Sequence, residues 1–221
     1  MRLIATYDRE DLALLSDEVM AFYERRPDLQ QRGVSFGQSS GPDGGSGDPG
    51  ADLSQAAKVS TDISLVWLDR SDPEAHRISD AIMRAVSSCL RQYLNERPKF
   101  LEVCPERALF VNPLFNLQRY APGEGFRAWH CDWTTSDEAT EPIRRVLAWI
   151  LYLNTVPEGG TEFLWQEHHV EAVRGRMAIF PAGLSHVHRG RVSEDTTKTI
   201  ATGWVNVGSL EAYVQGLAAR P

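Results

Sequence analysis

Apolar residues recur at helical spacing in two places along the first hundred residues. Within 8–25, Leu12, Leu15, Val19, Phe22 and Tyr23 fall on one face, the stripe that an amphipathic helix buries. The Arg-Arg-Pro at 25–27 closes that pattern, because proline disfavours helical backbone in the residue before it. Within 73–95, Ile78, Ile82, Val86, Leu90 and Tyr93 form a second stripe. Asp72 is placed to cap that helix and Pro73 suits its first turn, and Pro98 marks its close. From about 108 the period changes. Segments 115–120, 146–154, 161–166, 169–173, 176–180, 187–189 and 198–207 read as short strands, most of them separated by Pro, Gly, Asp or Asn. A short helix is expected over 209–218, and no internal repeat is visible.

This order predicts a mainly β fold, a sandwich, jelly roll or barrel, preceded by helices. The expected organisation is one domain over 1–221: a helical N-terminal region (1–100), a β core (108–207) and a short C-terminal helix (208–221). A chain of 221 residues can bury a sizeable single core. The stretch 37–50 holds six glycines and two prolines, so it cannot be core. It reads as a flexible loop, either plainly disordered or a lid over a site.

Charge narrows the partners. The formal net charge is −7, which argues against bulk attraction to nucleic acid or an anionic membrane. The longest wholly apolar run, 146–153, is far short of a membrane span. Residues 1–9 lack the apolar region of a secretory signal. Three widely spaced cysteines (Cys89, Cys104 and Cys131), none in a Cys-x-x-Cys pair, suit a reducing cytoplasm. Oligomeric state leaves no mark in the sequence.

The candidate chemistry centres on His130-Cys131-Asp132. Residues i and i+2 of an extended segment point the same way, so His130 and Asp132 project together and Cys131 projects away. Two histidines and one carboxylate with open positions suit non-haem Fe(II) oxygen chemistry. The third ligand must come from the other histidines. His76 reads as a solvated helix residue. His168 and His169 are adjacent, face opposite ways in a strand and sit among acidic neighbours. His186 and His188 lie on one side of an extended segment; either can bind the metal while the other lines the pocket or hydrogen-bonds behind the ligand. The residues alone leave that choice open.

Ordered blocks extend the pattern: Phe-Asn-Leu-Gln-Arg-Tyr (115–120), Pro-Gly-Glu-Gly-Phe (122–126), His-Cys-Asp (130–132), Leu-Tyr-Leu-Asn (151–154), Glu-Gly-Gly-Thr-Glu-Phe (158–163), Phe-Pro-Ala-Gly (180–183), His-Arg-Gly (188–190) and Lys-Thr-Ile-Ala-Thr-Gly-Trp (198–204). Together they resemble the Fe(II)- and 2-oxoglutarate-dependent dioxygenases, in particular the prolyl-4-hydroxylase-like branch.

The resemblance implies an eight-stranded double-stranded β-helix with the N-terminal helices buttressing one sheet. It implies iron on His130, Asp132 and His188, the last because the family's distal histidine stands ten residues before the basic residue that binds 2-oxoglutarate, here Lys198; His186 is the fallback. Tyr120 and Tyr152 are implied to hydrogen-bond the cosubstrate, with Thr202 lining its pocket and Gln118 sharing a strand face with Tyr120. Trp204, Arg127 and His186 are implied at the substrate pocket, whose mouth Arg144, Arg145, Arg189 and Arg191 also flank. Implied cofactors are Fe(II), 2-oxoglutarate and O2, with ascorbate as an accessory reductant. No side chain beyond the metal centre need act as a catalytic base. The Glu-Gly-Gly-Thr-Glu-Phe block reads as a turn without chemistry.

The implied reaction is hydroxylation of a peptidyl residue, proline first, or of a small molecule, with release of succinate and CO2. Because Asp132 supplies the carboxylate that related halogenases lack, hydroxylation is preferred. Two other readings stand beside it. One is a cupin-like metal-binding module or inactive scaffold, which an intact ligand set plus Lys198 disfavours. The other is a nucleic-acid demethylase, disfavoured by the acidic balance and by a lysine where those enzymes resemble an arginine pattern. Segments 34–60 and 133–145 are the expected substrate loops, and Lys58-Val-Ser-Thr-Asp62 has no assignable role.

Overall fold

A computed structural model describes residues 3–35, 56–133 and 144–218. The loop 37–50, and most of the two expected substrate loops, lie outside the described residues. The elements in chain order are β1 (Ala5–Asp8), α1 (Glu10–Arg25), β2 (Gln31–Ser35), β3 (Lys58–Val66), α2 (Pro73–Asn95), α3 (Pro98–Val103), β4 (Leu109–Val111), β5 (Leu114–Tyr120), β6 (Arg145–Tyr152), β7 (Val156–Phe163), β8 (His168–Ala172), β9 (Arg176–Pro181), β10 (His188–Gly190), β11 (Lys198–Val207) and α4 (Leu210–Ala218).

The strands form two antiparallel sheets, the jelly-roll arrangement of a double-stranded β-helix. The larger runs β1-β9-β6-β11-β5-β3-β2, with β4 also on β11; the smaller runs β10-β7-β8. A backbone bridge between His130 and His188 adds a fourth, very short member to the small sheet.

Alternation along the central strands divides two cores, because successive side chains of a strand point to opposite faces. On β6, Leu147, Trp149 and Leu151 join the helix-side core, where they meet Leu12, Val19 and Phe22 of α1 and Ile78, Ile82 and Val86 of α2. Ala148, Ile150 and Tyr152 point the other way, into the space between the sheets. On β5 the same rule sends Phe115 and Leu117 to the helices and Asn116, Gln118 and Tyr120 to the interior cavity. On β11 it sends Ala201 and Val205 to the helices and Lys198, Ile200, Thr202 and Trp204 to the cavity. The helices therefore buttress one face of the large sheet, and the site occupies the other.

Asp72 caps α2 as its position predicts, accepting from the backbone N–H groups of Glu74 and Ala75 at 3.0 and 2.9 Å. Other expectations are corrected. The first helix begins at Glu10, because Ala5–Asp8 is an edge strand on β9. Pro98 opens a further helix rather than ending one; its missing N–H costs nothing at a first-turn position. The N-terminal region also holds β2 and β3, and β3 pairs with β5 from Thr61↔Arg119 to Val66↔Leu114. β2 is a short edge strand stabilised by its partner, whereas β3 runs nine residues and the alternation of Val59, Thr61, Ile63 and Leu65 is a local signal that sequence reasoning passed over.

The Glu-Gly-Gly-Thr-Glu-Phe block is part of β7 rather than a turn. Its pairing with β8 jumps from Val156↔Ala172 to Thr161↔Val170, a bulge. Gly160 sits there at φ +96°, and a Cβ on it would lie 2.1 Å from the Val170 carbonyl oxygen, so only glycine fits.

Candidate metal and cosubstrate site

His130 follows β5 in an extended segment, and His188 opens β10. Each donates its backbone N–H to the other's carbonyl, at 2.9 and 2.8 Å. This two-way bridge sets the imidazole rings 4.4 Å apart, tilted by 54°. Asp132 is anchored by its own N–H on the Ala182 carbonyl, 2.9 Å away, and its carboxylate comes within 3.7 Å of His188 Nε2. One ligand atom from each of His130, Asp132 and His188 lies within 4.8 Å of the other two.

The tautomers follow from the neighbours. His130 Nδ1 lies 3.0 Å from the Ala128 carbonyl and His188 Nδ1 lies 2.9 Å from the His186 carbonyl. A carbonyl only accepts, so each Nδ1 carries its proton, and each Nε2 lone pair is left for a metal. Burial, and next the neighbouring His188, push the His130 pKa down to about 4, so the ring is neutral near pH 7. Asp132 Oδ2 is buried and has no hydrogen-bond partner among the described residues, and an unpaired buried carboxylate oxygen is costly. The two imidazole Nε2 atoms and that oxygen fit a divalent cation, and two His with one carboxylate is the donor set of non-haem Fe(II) oxygenases.

The triad opens on the cavity between the sheets, which Tyr120, Tyr152, Lys198, Thr202, Trp204 and Gln118 also line. Lys198 is 4% exposed. Its Nζ donates to the Arg191 carbonyl at 2.5 Å and lies 5.3 Å from the centre of the Tyr120 ring. Among the described residues no carboxylate pairs with it, and burial draws its pKa down to about 8. Tyr120 donates to Gln118 Oε1 at 2.6 Å, and the Tyr152 hydroxyl lies 2.7 Å from Thr161 Oγ1. Burial raises both tyrosine pKa values, so both phenols stay protonated and available as donors. Thr202 donates to the Trp149 carbonyl at 2.9 Å.

Two expected pocket residues are elsewhere. His186 is buried in a 3-10 turn, Leu184–His186, where Ser185 Oγ lies 3.0 Å from its Nδ1, and it does not line the cavity. Its contribution to the site is the backbone carbonyl that orients His188. Arg127 turns back to the Gly123 carbonyl and is also absent from the lining. Arg189 and Arg191 pair with Glu162. Arg145 behaves differently: its guanidinium lies 3.6 Å from the centre of the Trp204 ring and donates to the Asp132 carbonyl at 3.0 Å. It is half-buried, with no carboxylate salt bridge among the described residues.

Sequence reasoning missed Thr161, Asn116 and Phe126 as cavity residues. Asn116 stands two residues before Gln118 and alternation could have found it. Thr161 and Phe126 lie inside motif blocks of the sequence, but the bulge that turns Thr161 inward leaves no periodic trace.

Residues 115–206 match the family described as the 2OG-Fe(II) oxygenase superfamily. The match covers the β core, and it supports a 2-oxoglutarate-dependent dioxygenase that uses Fe(II), 2-oxoglutarate and O2. No protein of curated function matches the sequence. Solved structures share the fold at low identity. A viral collagen prolyl hydroxylase from Paramecium Bursaria Chlorella virus-1 aligns with a TM-score of 0.61 and 16% identity, over 93% of this chain and 97% of that one. A Pseudomonas putida prolyl-4-hydroxylase gives 0.58 and 19%, over 94% of each chain. A Trichoplax adhaerens prolyl hydroxylase, in complex with a hypoxia inducible factor oxygen degradation domain peptide fragment, gives 0.57 and 11%, over 100% of this chain and 89% of that one. No described helix is long and apolar enough to cross a membrane.

Proposed function

We propose that this oxygenase hydroxylates a peptidyl residue, with proline the first candidate, or a small molecule carrying a comparable group, and releases succinate and CO2. One observation carries the proposal: a ligand triad and a buried lysine, without an acidic partner among the described residues, open on the same cavity. His130, Asp132 and His188 would hold Fe(II). Bound iron supplies the redox chemistry that couples decarboxylation of 2-oxoglutarate to oxygen insertion into a C–H bond.

The remaining work falls to side chains of this chain. Lys198 pairs with the distal carboxylate of the cosubstrate as a charge-assisted hydrogen bond, and the anion restores the partner that its burial removed. Tyr152 and Thr161 present hydroxyl groups within the same cavity, and Tyr120 with Gln118 forms its polar wall. Ile150, Phe180 and Ile200 line the cavity with apolar surface and limit water. Trp204 with Arg145 stacked on it offers a flat apolar face and a cation at the substrate end, suited to a ring next to a carbonyl or carboxylate oxygen. The likeness to a peptide-bound prolyl hydroxylase supports the peptidyl reading.

We also read the chain as one folding unit, since a single core joins Tyr7, the helices and Val205. Three free cysteines support a reducing compartment such as the cytoplasm. The net charge of −7 argues against a nucleic-acid substrate.

Anaerobic titration with Fe(II) and 2-oxoglutarate tests the cosubstrate assignment: a weak visible charge-transfer band supports it, and bound zinc without such a band points to a structural metal module. A succinate-release screen over proline peptides, free amino acids and metabolites then identifies the substrate. Release that no compound stimulates would overturn the hydroxylase proposal.

A further inference from the structure

We propose that Phe126 is a positioning residue for the metal, its ring holding the His130 imidazole in its coordinating plane and favouring that imidazole once it is bound to a cation. The inference rests on the assignment of His130, Asp132 and His188 as ligands.

The Phe126 and His130 rings are stacked almost face to face, with centroids 3.6 Å apart and planes 7° from parallel. The second ligand ring is held differently. His188 meets Phe180 edge-on, at 4.9 Å and 71°, and Phe163 at 5.7 Å and 35°. Two neutral aromatic rings avoid a face-to-face sandwich, because their electron-rich faces repel. The arrangement becomes attractive when one ring is electron-poor. An imidazole that has given its Nε2 lone pair to a divalent cation is such a ring, and the negative face of the phenyl then acts as it does toward a cation. The stack therefore suits the metal-bound form of His130 better than the free form.

The geometry is also fixed from the backbone. The Phe126 carbonyl accepts from Gly190 N–H at 2.9 Å, and the adjacent Gly125 carbonyl accepts from Val59 N–H at 3.0 Å. Phe126 thus hangs between β3 and β10, beside the strand that carries His188. The Nδ1 hydrogen bond to Ala128 sets the in-plane orientation of His130, and the phenyl face removes tilt out of that plane. The nearby cation of β3 does not compete for the phenyl face, since Lys58 is paired with Asp62 at 2.7 Å.

The test uses metal-free protein and Co(II) alone, read by the visible ligand-field absorption of the tetrahedral or five-coordinate ion. Phe126→Leu should weaken Co(II) binding about tenfold, the scale of a partly desolvated cation–π contact, and leave the thermal midpoint of the metal-free protein unchanged. Phe126→Trp should restore affinity. Replacement of Phe126 by pentafluorophenylalanine keeps the shape and reverses the ring's charge distribution; it should weaken Co(II) at least as much as Phe126→Leu, and it tests the idea even if Phe126→Leu fails to fold. Equal Co(II) affinity in the pentafluoro and wild-type proteins would show that the ring only fills space and would overturn the proposal. If wild-type protein fails to bind Co(II) at all, the ligand assignment itself falls, a result distinct from a wild type that binds and a variant that binds equally well.

Discussion

His130 and His188 face each other across a two-way backbone bridge, each N–H donating to the other's carbonyl at 2.9 and 2.8 Å. Fifty-eight residues separate them in the chain. Asp132 reaches the same point because it shares His130's side of the segment, and its Oδ2 arrives buried and unpartnered. The metal-free site is thus a place of unfavourable electrostatics that a cation relieves.

That relationship makes the metal-free and metal-loaded proteins respond in opposite directions to one substitution. Asp132→Ala should abolish metal binding and 2-oxoglutarate turnover, yet leave the metal-free protein as stable as wild type or more so, because a buried unpaired oxygen is removed. His186→Gln should keep metal affinity within a few-fold, since His186 contributes its backbone carbonyl. Calorimetric titration with Fe(II) or Mn(II) and thermal melts without metal measure both. A loss of metal in His186→Gln as deep as in His188→Ala would reverse the choice between the two histidines.

With Lys198 as the proposed partner of the cosubstrate carboxylate, cosubstrate binding and stability should depend on pH with opposite signs. Its folded pKa, about 8, lies below the ordinary value of 10.5. Between those values the unfolded chain binds more protons than the folded one, so the ligand-free protein gains stability as pH rises through that window and carries the full cost of the buried ammonium below it. On the proposed pairing, 2-oxoglutarate takes the charged form, so stabilisation by the ligand should be full below about pH 8 and decline above it. Thermal melts with and without 2-oxoglutarate across this range, compared with Lys198→Met, isolate the effect. In that variant the ligand response should vanish and the ligand-free melting point near pH 7 should rise. A ligand response in Lys198→Met equal to wild type would place the carboxylate elsewhere.

Gly160 is expected to tolerate no side chain. With φ at +96° and the Val170 carbonyl oxygen 2.1 Å from a would-be Cβ, Gly160→Ala should destabilise the protein by about 2–3 kcal/mol, at the upper end of ordinary single substitutions. Because Thr161 follows directly, affinity for 2-oxoglutarate should fall too. Urea denaturation and a cosubstrate titration check the two effects.

Asp72→Ala provides a contrast remote from the cavity. It removes the acceptor for two N–H groups at the start of α2 and should cost about 1 kcal/mol of stability, with metal and cosubstrate affinities unchanged. A shift in either affinity would mean that α2 is coupled to the site through the large sheet.

Much of the fold was legible because its causes are local. The stripes at Leu12–Tyr23 and Ile78–Tyr93 needed only helical spacing, and 115–120 and 198–207 needed only extended segments bounded by breakers. β3, interior and nine residues long, was legible in the alternation of Val59, Ile63 and Leu65 and was passed over, whereas β1, β2 and β4 escaped because short or edge strands are stabilised mainly by distant partners. The bulge at Gly160 escaped for the same reason: it is defined by a register with β8 that no neighbouring residue encodes.

The sequence by itself determined which donors exist, that His130 and Asp132 share a side, and that Lys198 follows His188 by ten residues, since these depend on chain geometry over a few residues and on a family pattern. Only the tertiary structure decided that His188 converges on the site while His186 lies behind it, that Lys198 is buried, that Arg145 rests on Trp204, and that Phe126 covers the face of His130. Those are contacts between segments brought together by sheet pairing and core burial, and their energies depend on distances that the order of residues does not contain.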